Sequence, residues 1–273
     1  MENEKKAGRY RDDMGLDMEN MEPLRPVPQQ RIMDKVNECM SRRDYAGVER
    51  VLRYWLEEAR TGRDFRGQLM VLNEMVGHYR KTREQEKAQD CAVEALSLLH
   101  ILDLEDSISG GTTCVNIATA YNSFGKNEEA LRLFQQARGI YERAKDVSPS
   151  LLGGLYNNMG LTCAALGRFD EALALYDLAF SEMGKAPNGA LEQAVTCLNR
   201  ANALEGRDGM ERGESQIFAL LDQAQALLER KELPRDGYYA FVLEKCAPTF
   251  EYYGYFLAAE QMKKQAEALY AGA

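Results

Sequence analysis

Histidine, basic charge and long apolar runs are all scarce in this chain, and each scarcity narrows what it does. Only His78 and His100 occur in 273 residues, so a metal site or histidine-dependent catalysis would have to use one of them. Acidic residues outnumber Lys and Arg by 43 to 34, leaving a net charge of -9. That balance argues against a nucleic-acid partner, because phosphate backbones are bound through clustered basic residues. No run approaches the roughly 18 apolar residues of a membrane span, and the opening "MENEKKAGRYRDDMG" has no signal-peptide core. The expectation is a cytoplasmic chain without a membrane partner. Cys39, Cys91, Cys114, Cys163, Cys197 and Cys246 include no C-x-x-C pair and read as small buried hydrophobes. No G-x-S-x-G or H-E-x-x-H occurs, and "GGTTC" lacks the lysine and spacing of a phosphate loop. Nothing calls for a cofactor or a metal, and no enzyme is expected.

What the sequence does have is a repeat. "LYNNMGLTCAALGRFDEALALYDLAF" (155–180) aligns with "TCVNIATAYNSFGKNEEALRLFQQAR" (113–138), so that Gly160 falls on Ala118, Gly167 on Gly125, Ala172 on Ala130, Tyr176 on Phe134 and Ala179 on Ala137. The offset is 42 residues. Four further copies follow from the same step: Val36, Val48 and Leu52; Val76, Ala88 and Ala92; Ala201, Ile217 and Leu221; Ala247, Ala259 and Ala266. The fifth copy is longer by four residues, which the pattern places in a polar turn, "GRDGMERGE". Within each copy, apolar and small residues recur at helical spacing in two blocks, separated by a turn that Gly125, Gly167 or Gly254 marks in three of them. Acidic pairs such as Glu128–Glu129 and Asp170–Glu171 open second helices, where carboxylates favour the helix dipole.

This pattern resembles the tetratricopeptide repeat, over roughly residues 27 to 270. The family's usual period is about 34; the longer unit here is similar to the extended repeats of kinesin light chains and bacterial peptide-sensing regulators, whose "LNNLA" signature has a counterpart in "YNNMG". The resemblance implies an all-α fold: a right-handed α-solenoid of about six helix-turn-helix repeats over 27–273, with a concave groove. Lys263 replaces the large apolar residue of the other copies, as a polar end cap would. Residues 1–26, dense in charge, are expected to form a disordered or loosely docked tail.

Numbering each first helix so that Gly160 is position 8 puts positions 2, 6, 9 and 13 on the face away from the second helix. Position 6 reads Asp34, Glu74, Asn116, Asn158, Asn199 and Lys245 along the chain. Thr119 and Asn202 occupy position 9, and Thr112 and Ser123 add hydroxyls at positions 2 and 13. An amide donates and accepts, as an extended peptide backbone requires. In the families resembled, Asn at this position commonly grips the ligand's main chain, a role carried here to Asn116, Asn158 and Asn199; Asn157 is expected nearer the groove edge. The same asparagines serve equally well as bonds between neighbouring helices. Three amides at about 1 kcal/mol each fall short of millimolar affinity, so side-chain pockets must contribute. Arg80 and Lys81 flank the amides on one side, and Phe241, Phe250, Tyr252 and Tyr253 lie on the other, with Pro248 expected to kink its helix. The family's carboxylate clamp for chaperone tails needs Lys at position 5 and Asn at position 9 of the repeat before the groove asparagine, where Asn73 and Gly77, or Val115 and Thr119, stand instead.

The sequence-level expectation is a non-catalytic interaction module that binds an extended peptide segment of a partner through an asparagine ladder. The alternatives are a receptor for a small signalling peptide and, further off, a glycan binder or helical-solenoid enzyme. Oligomeric state is left open.

Overall fold

The computed structural model describes residues 22–271. Residues 1–21, most of the expected tail, lie outside the described residues. Among those described there are twelve α-helices and no strand. They are α1 (Gln29–Ser41), α2 (Tyr45–Thr61), α3 (Phe65–Thr82), α4 (Gln85–Ile101), α5 (Ile108–Ser123) and α6 (Asn127–Arg143), then α7 (Pro149–Ala165), α8 (Phe169–Met183), α9 (Ala190–Asp208), α10 (Met210–Leu228), α11 (Gly237–Tyr252) and α12 (Phe256–Ala271). Each odd-numbered helix packs on the one that follows it, giving six helix pairs at the places the repeat requires. The chain divides into two compact units, one ending at Ala144 and one beginning at Lys145. Each contains three pairs.

Local chemistry sets the boundaries. Asp44, Asp64, Ser107, Ser148 and Asp236 accept hydrogen bonds from backbone N–H groups three residues on, capping α2, α3, α5, α7 and α11. Such caps contribute about 1 kcal/mol apiece. Glu128–Glu129 and Asp170–Glu171 fill the first turns of α6 and α8 as expected. The turns after α5, α7 and α11 need a left-handed residue, and Gly125, Gly167 and Gly254 supply it at φ of 77°, 74° and 86°. Arg43 and Arg83 take that conformation in the first two pairs.

Packing explains the small residue at position 8. Val36, Val76, Ala118, Ala201 and Ala247 are buried there, and a Cβ on Gly160 would lie 2.5 Å from the Tyr176 ring of the paired helix. The second unit is centred on Ile217, Leu221, Leu243 and Phe250, the first on Ile32, Leu52, Leu72 and Leu99. All six cysteines are buried and reduced, and burial pushes the Cys114 and Cys197 thiols up to about 11 and Cys246 to about 12.

Two expectations are corrected. The four additional residues of the fifth repeat do not form a turn: α9 and α10 are both 19 residues long, and Gly209 alone separates them. Arg207, Asp208, Met210 and Glu211 extend the two helices, and Arg207 is tied to Asp170 at 2.9 Å and to Asp208 at 2.8 Å. Asn157, expected at a groove edge, is 6% exposed and donates to Thr196 Oγ1 on α9 at 2.9 Å. At the end of the expected tail the Arg25 N–H donates to Gly62 O at 3.1 Å, and just beyond it the Val27 N–H donates to Asp64 Oδ2 at 2.9 Å, fixing this segment to the α2–α3 turn.

Candidate functional site

In the first unit the outward face of α3 and α5 is largely engaged with itself. Asn73, at position 5, donates to Leu69 O at 2.9 Å and to Thr113 Oγ1 at 3.0 Å, while its Oδ1 accepts from Asn116 Nδ2 at 3.1 Å. Asn116 is thus a bond between neighbouring first helices. Thr119 turns its hydroxyl back to Val115 O at 2.7 Å, Thr112 to Ile108 O and the Tyr141 hydroxyl, and Ser123 to Ala120 O. Lys81 lies 5.9 Å from the centroid of the Tyr45 ring, directed at α2. Arg80 has a lowered pKa, chiefly through burial and secondarily through Arg83 beside it. Glu74, at position 6, is half-buried without an ion-pair partner among the described residues, and burial raises its carboxyl pKa. The first unit therefore offers few uncommitted amides.

The second unit differs. Asn158 on α7 and Asn199 on α9 are half-buried at the same register, and neither side-chain amide makes a hydrogen bond among the described residues. Asn157 and Asn158 are adjacent in sequence but about 100° apart around the helix, which turns the first into the α7–α9 contact and leaves the second outward. At position 9, Leu161 is 42% exposed, and Asn202 Oδ1 lies 3.1 Å from the Tyr253 hydroxyl. The same hydroxyl lies 2.8 Å from Glu205 Oε2, and burial is the first cause that pushes its pKa up.

The aromatic group at the end of the second unit splits in two. Phe250 and Tyr253 are core, whereas Phe241 is 52% and Tyr252 68% exposed, at positions 2 and 13 of α11. Phe241 stacks on Tyr238 with centroids 6.3 Å apart, and the Tyr238 hydroxyl bonds Glu192. Lys245 is exposed between them at position 6. Pro248 sits inside α11, its ring exposed and its helix running on to Tyr252. The face thus combines two amides, an ammonium and three large apolar side chains. Leu161 is the member the sequence reading missed; its recurrence at position 9, where Thr119 and Asn202 stand in neighbouring repeats, was the available signal.

Among the described residues, Glu49, His78 and Glu84 form a cluster of metal-ligating types. Lys87 already bridges the two carboxylates, at 3.0 Å from Glu49 and 2.5 Å from Glu84, and the Tyr79 hydroxyl donates to Glu49 at 3.0 Å. The cluster is an ion-pair network tying α2 to the start of α4, with the buried His78 held neutral-leaning beside it because burial lowers its pKa. No described helix is long and apolar enough to cross a membrane.

A family model for the tetratricopeptide repeat matches residues 111–144, which span α5 and α6. No curated protein sequence matches the chain. Among solved structures, a kinesin light chain-like protein of Podosopora anserina with nearly identical TPR-like repeats superposes with a TM-score of 0.54 at 15% identity, covering 75% of this chain and 96% of its own. MamA gives 0.51 at 14% identity over 76% and 96%, and BtubC from P. vanneervenii gives 0.50 at 17% over 90% and 92%. At such identities the likeness concerns the fold. The small residue at position 8, the left-handed turn and the matched segment agree: residues 111–144 are a tetratricopeptide repeat, set in a stack of helix pairs whose fold is that of tetratricopeptide-like repeat structures.

Proposed function

We propose that this protein binds an extended peptide segment of a partner protein along the outward face of α7, α9 and α11. Tetratricopeptide repeats are protein–protein interaction scaffolds, and the fold supports that role here. The observation that carries the finer reading is the pair Asn158 and Asn199: two half-buried amides at one register with no intramolecular bond. Holding an amide half-desolvated without a partner is unfavourable, and a peptide backbone relieves both sites at once. Leu161, Phe241 and Tyr252 supply apolar contact on either side, and Lys245 suits an acidic residue of the ligand. Asn116, Thr119, Arg80 and Lys81, named from the sequence, are secondary in this reading because their groups are turned to the protein itself or lie in the first unit.

Panning a random peptide library against the wild type, then measuring enriched peptides on variants, tests this. Asn158→Ala with Asn199→Ala removes two bonds of about 1 kcal/mol each, so affinity should fall about thirtyfold. Asn116→Ala should leave it within a few-fold. Equal affinity for the wild type and the folded double variant, or a larger loss in Asn116→Ala, would refute the assignment.

A further inference from the structure

Near the C-terminal ends of α9 and α11 a carboxylate is held by two tyrosines. Glu205 stands at position 12 of α9, turned from the outward face toward α11. The Tyr252 hydroxyl donates to its Oε1 and the Tyr253 hydroxyl to its Oε2, each at 2.8 Å, and the two rings meet edge-to-face at 4.9 Å between centroids. Tyr253 is core, whereas the Tyr252 ring is open to solvent beside the carboxylate. Glu205 is half-buried and makes no ion pair among the described residues. The charged groups nearby are engaged with one another: Arg207 with Asp170 and Asp208, and Lys263 with Glu251. Lys245, uncommitted on the same face, stands six positions from Glu205, about 9 Å along the helix axis. Of the other carboxylates on α9 and α11, Glu192 has a single phenol, from Tyr238, and the exposed Glu244 has the Tyr270 hydroxyl at 3.4 Å.

We infer that this corner takes an arginine side chain of the bound peptide, an inference that rests on the peptide-binding reading of α7, α9 and α11. A carboxylate accepts about four hydrogen bonds. The phenols use one on each oxygen and leave one on each, which is the pattern a guanidinium fork fills. Both oxygens are already held in place, so little side-chain freedom is lost on pairing. The open face of Tyr252 gives the planar guanidinium a surface to stack on, a fit that a lysine ammonium lacks. The negative charge that folding leaves unbalanced at Glu205 supplies the complement.

Peptides enriched by panning on the wild type, resynthesised with each arginine changed to lysine or to alanine, test this by titration on the wild type, Glu205→Gln and Tyr252→Leu. Glutamine keeps the length of the side chain and an acceptor for a phenol, and circular dichroism checks that both variants fold. Peptides that need Asn158 and Asn199 should share one arginine. Its change to alanine should weaken binding to the wild type about tenfold or more, and its change to lysine several-fold. On Glu205→Gln the alanine penalty should shrink to about threefold or less, and on Tyr252→Leu the gap between arginine and lysine should narrow. A penalty unchanged on Glu205→Gln, lysine binding as well as arginine, or asparagine-dependent peptides with no shared arginine overturns this inference and leaves the groove reading in place. Peptides indifferent to Asn158 and Asn199 remove the groove reading and this inference with it.

Discussion

Gly160 sets two effects of similar size against each other, and the structure decides between them. Replacing a helix-interior glycine by alanine removes backbone freedom from the unfolded chain and stabilises by about 1 kcal/mol where the new methyl has room. At Gly160 it has none: the Cβ would stand 2.5, 2.8 and 2.9 Å from three ring atoms of Tyr176. That ring is 1% exposed and cannot swing aside. Overpacking of this kind costs about 1–3 kcal/mol, so Gly160→Ala should lose about 1 kcal/mol net. Gly154, six residues earlier on α7, is the internal control, since a Cβ there meets nothing within 4 Å. Gly154→Ala should gain about 1 kcal/mol, and the gap between the two variants isolates the steric effect at about 1–3 kcal/mol. Because stacked repeats can open locally, amide hydrogen exchange in α7 and α8 is the appropriate assay, with the thermal midpoint as a second reading. If Gly160→Ala protects those amides as well as Gly154→Ala does, the close approach at position 8 is not what selects a small residue.

The buried polar link between α7 and α9 makes a second expectation. Thr196→Val leaves the Asn157 amide, whose Oδ1 is already buried without a partner, with no bond at either end, and should cost about 1–3 kcal/mol in chemical denaturation. Adding Asn157→Leu should recover part of that loss; a double variant less stable than Thr196→Val alone would contradict it. For pH, His78 has a folded pKa lowered from its ordinary 6.5, first by burial. Unfolded chains then take up the proton before folded ones, so this contribution is complete above about pH 6.5 and is lost as pH falls below it. Glu49 and Glu84 are also lowered from 4.5, first by their bonds to Lys87, and their contribution goes at lower pH still. His78→Gln should therefore flatten the melting-temperature profile of the upper step, between about pH 7 and 5, and leave the lower one. An unchanged profile would mean that His78 does not carry that step.

Much of this fold is legible in the sequence because the repeat enforces one question six times. Position 8 must be small or flat wherever a ring from the paired helix lies over it, and Gly160 and Ala118 say so directly. The lengthened fifth repeat was harder: its additional residues, "GRD" and "MERGE", look like turn chemistry, yet one glycine breaks the helix and the charged residues around it are adequate helix formers. The asparagine pair was half readable. Facing angles separate Asn157 from Asn158, but which of them meets a neighbour depends on where the next first helix lies, and that is a tertiary fact. A sequence signal did exist. Asn73 and Asn157 both stand at position 5, and Thr113 and Thr196, their partners, both stand at position 3 of the repeat that follows.

The pairing order has a consequence for how this chain acquires its structure. Among the described residues, the substantial helix contacts join elements one or two steps apart in the chain. Few residues separate contacting partners, so little loop entropy must be lost before a contact forms, and low contact order of this sort goes with fast folding. A nascent chain leaving the ribosome could close each pair soon after its second helix emerges. Damage would be confined in the same way: a lesion in one pair weakens its immediate neighbours and leaves distant ones folded.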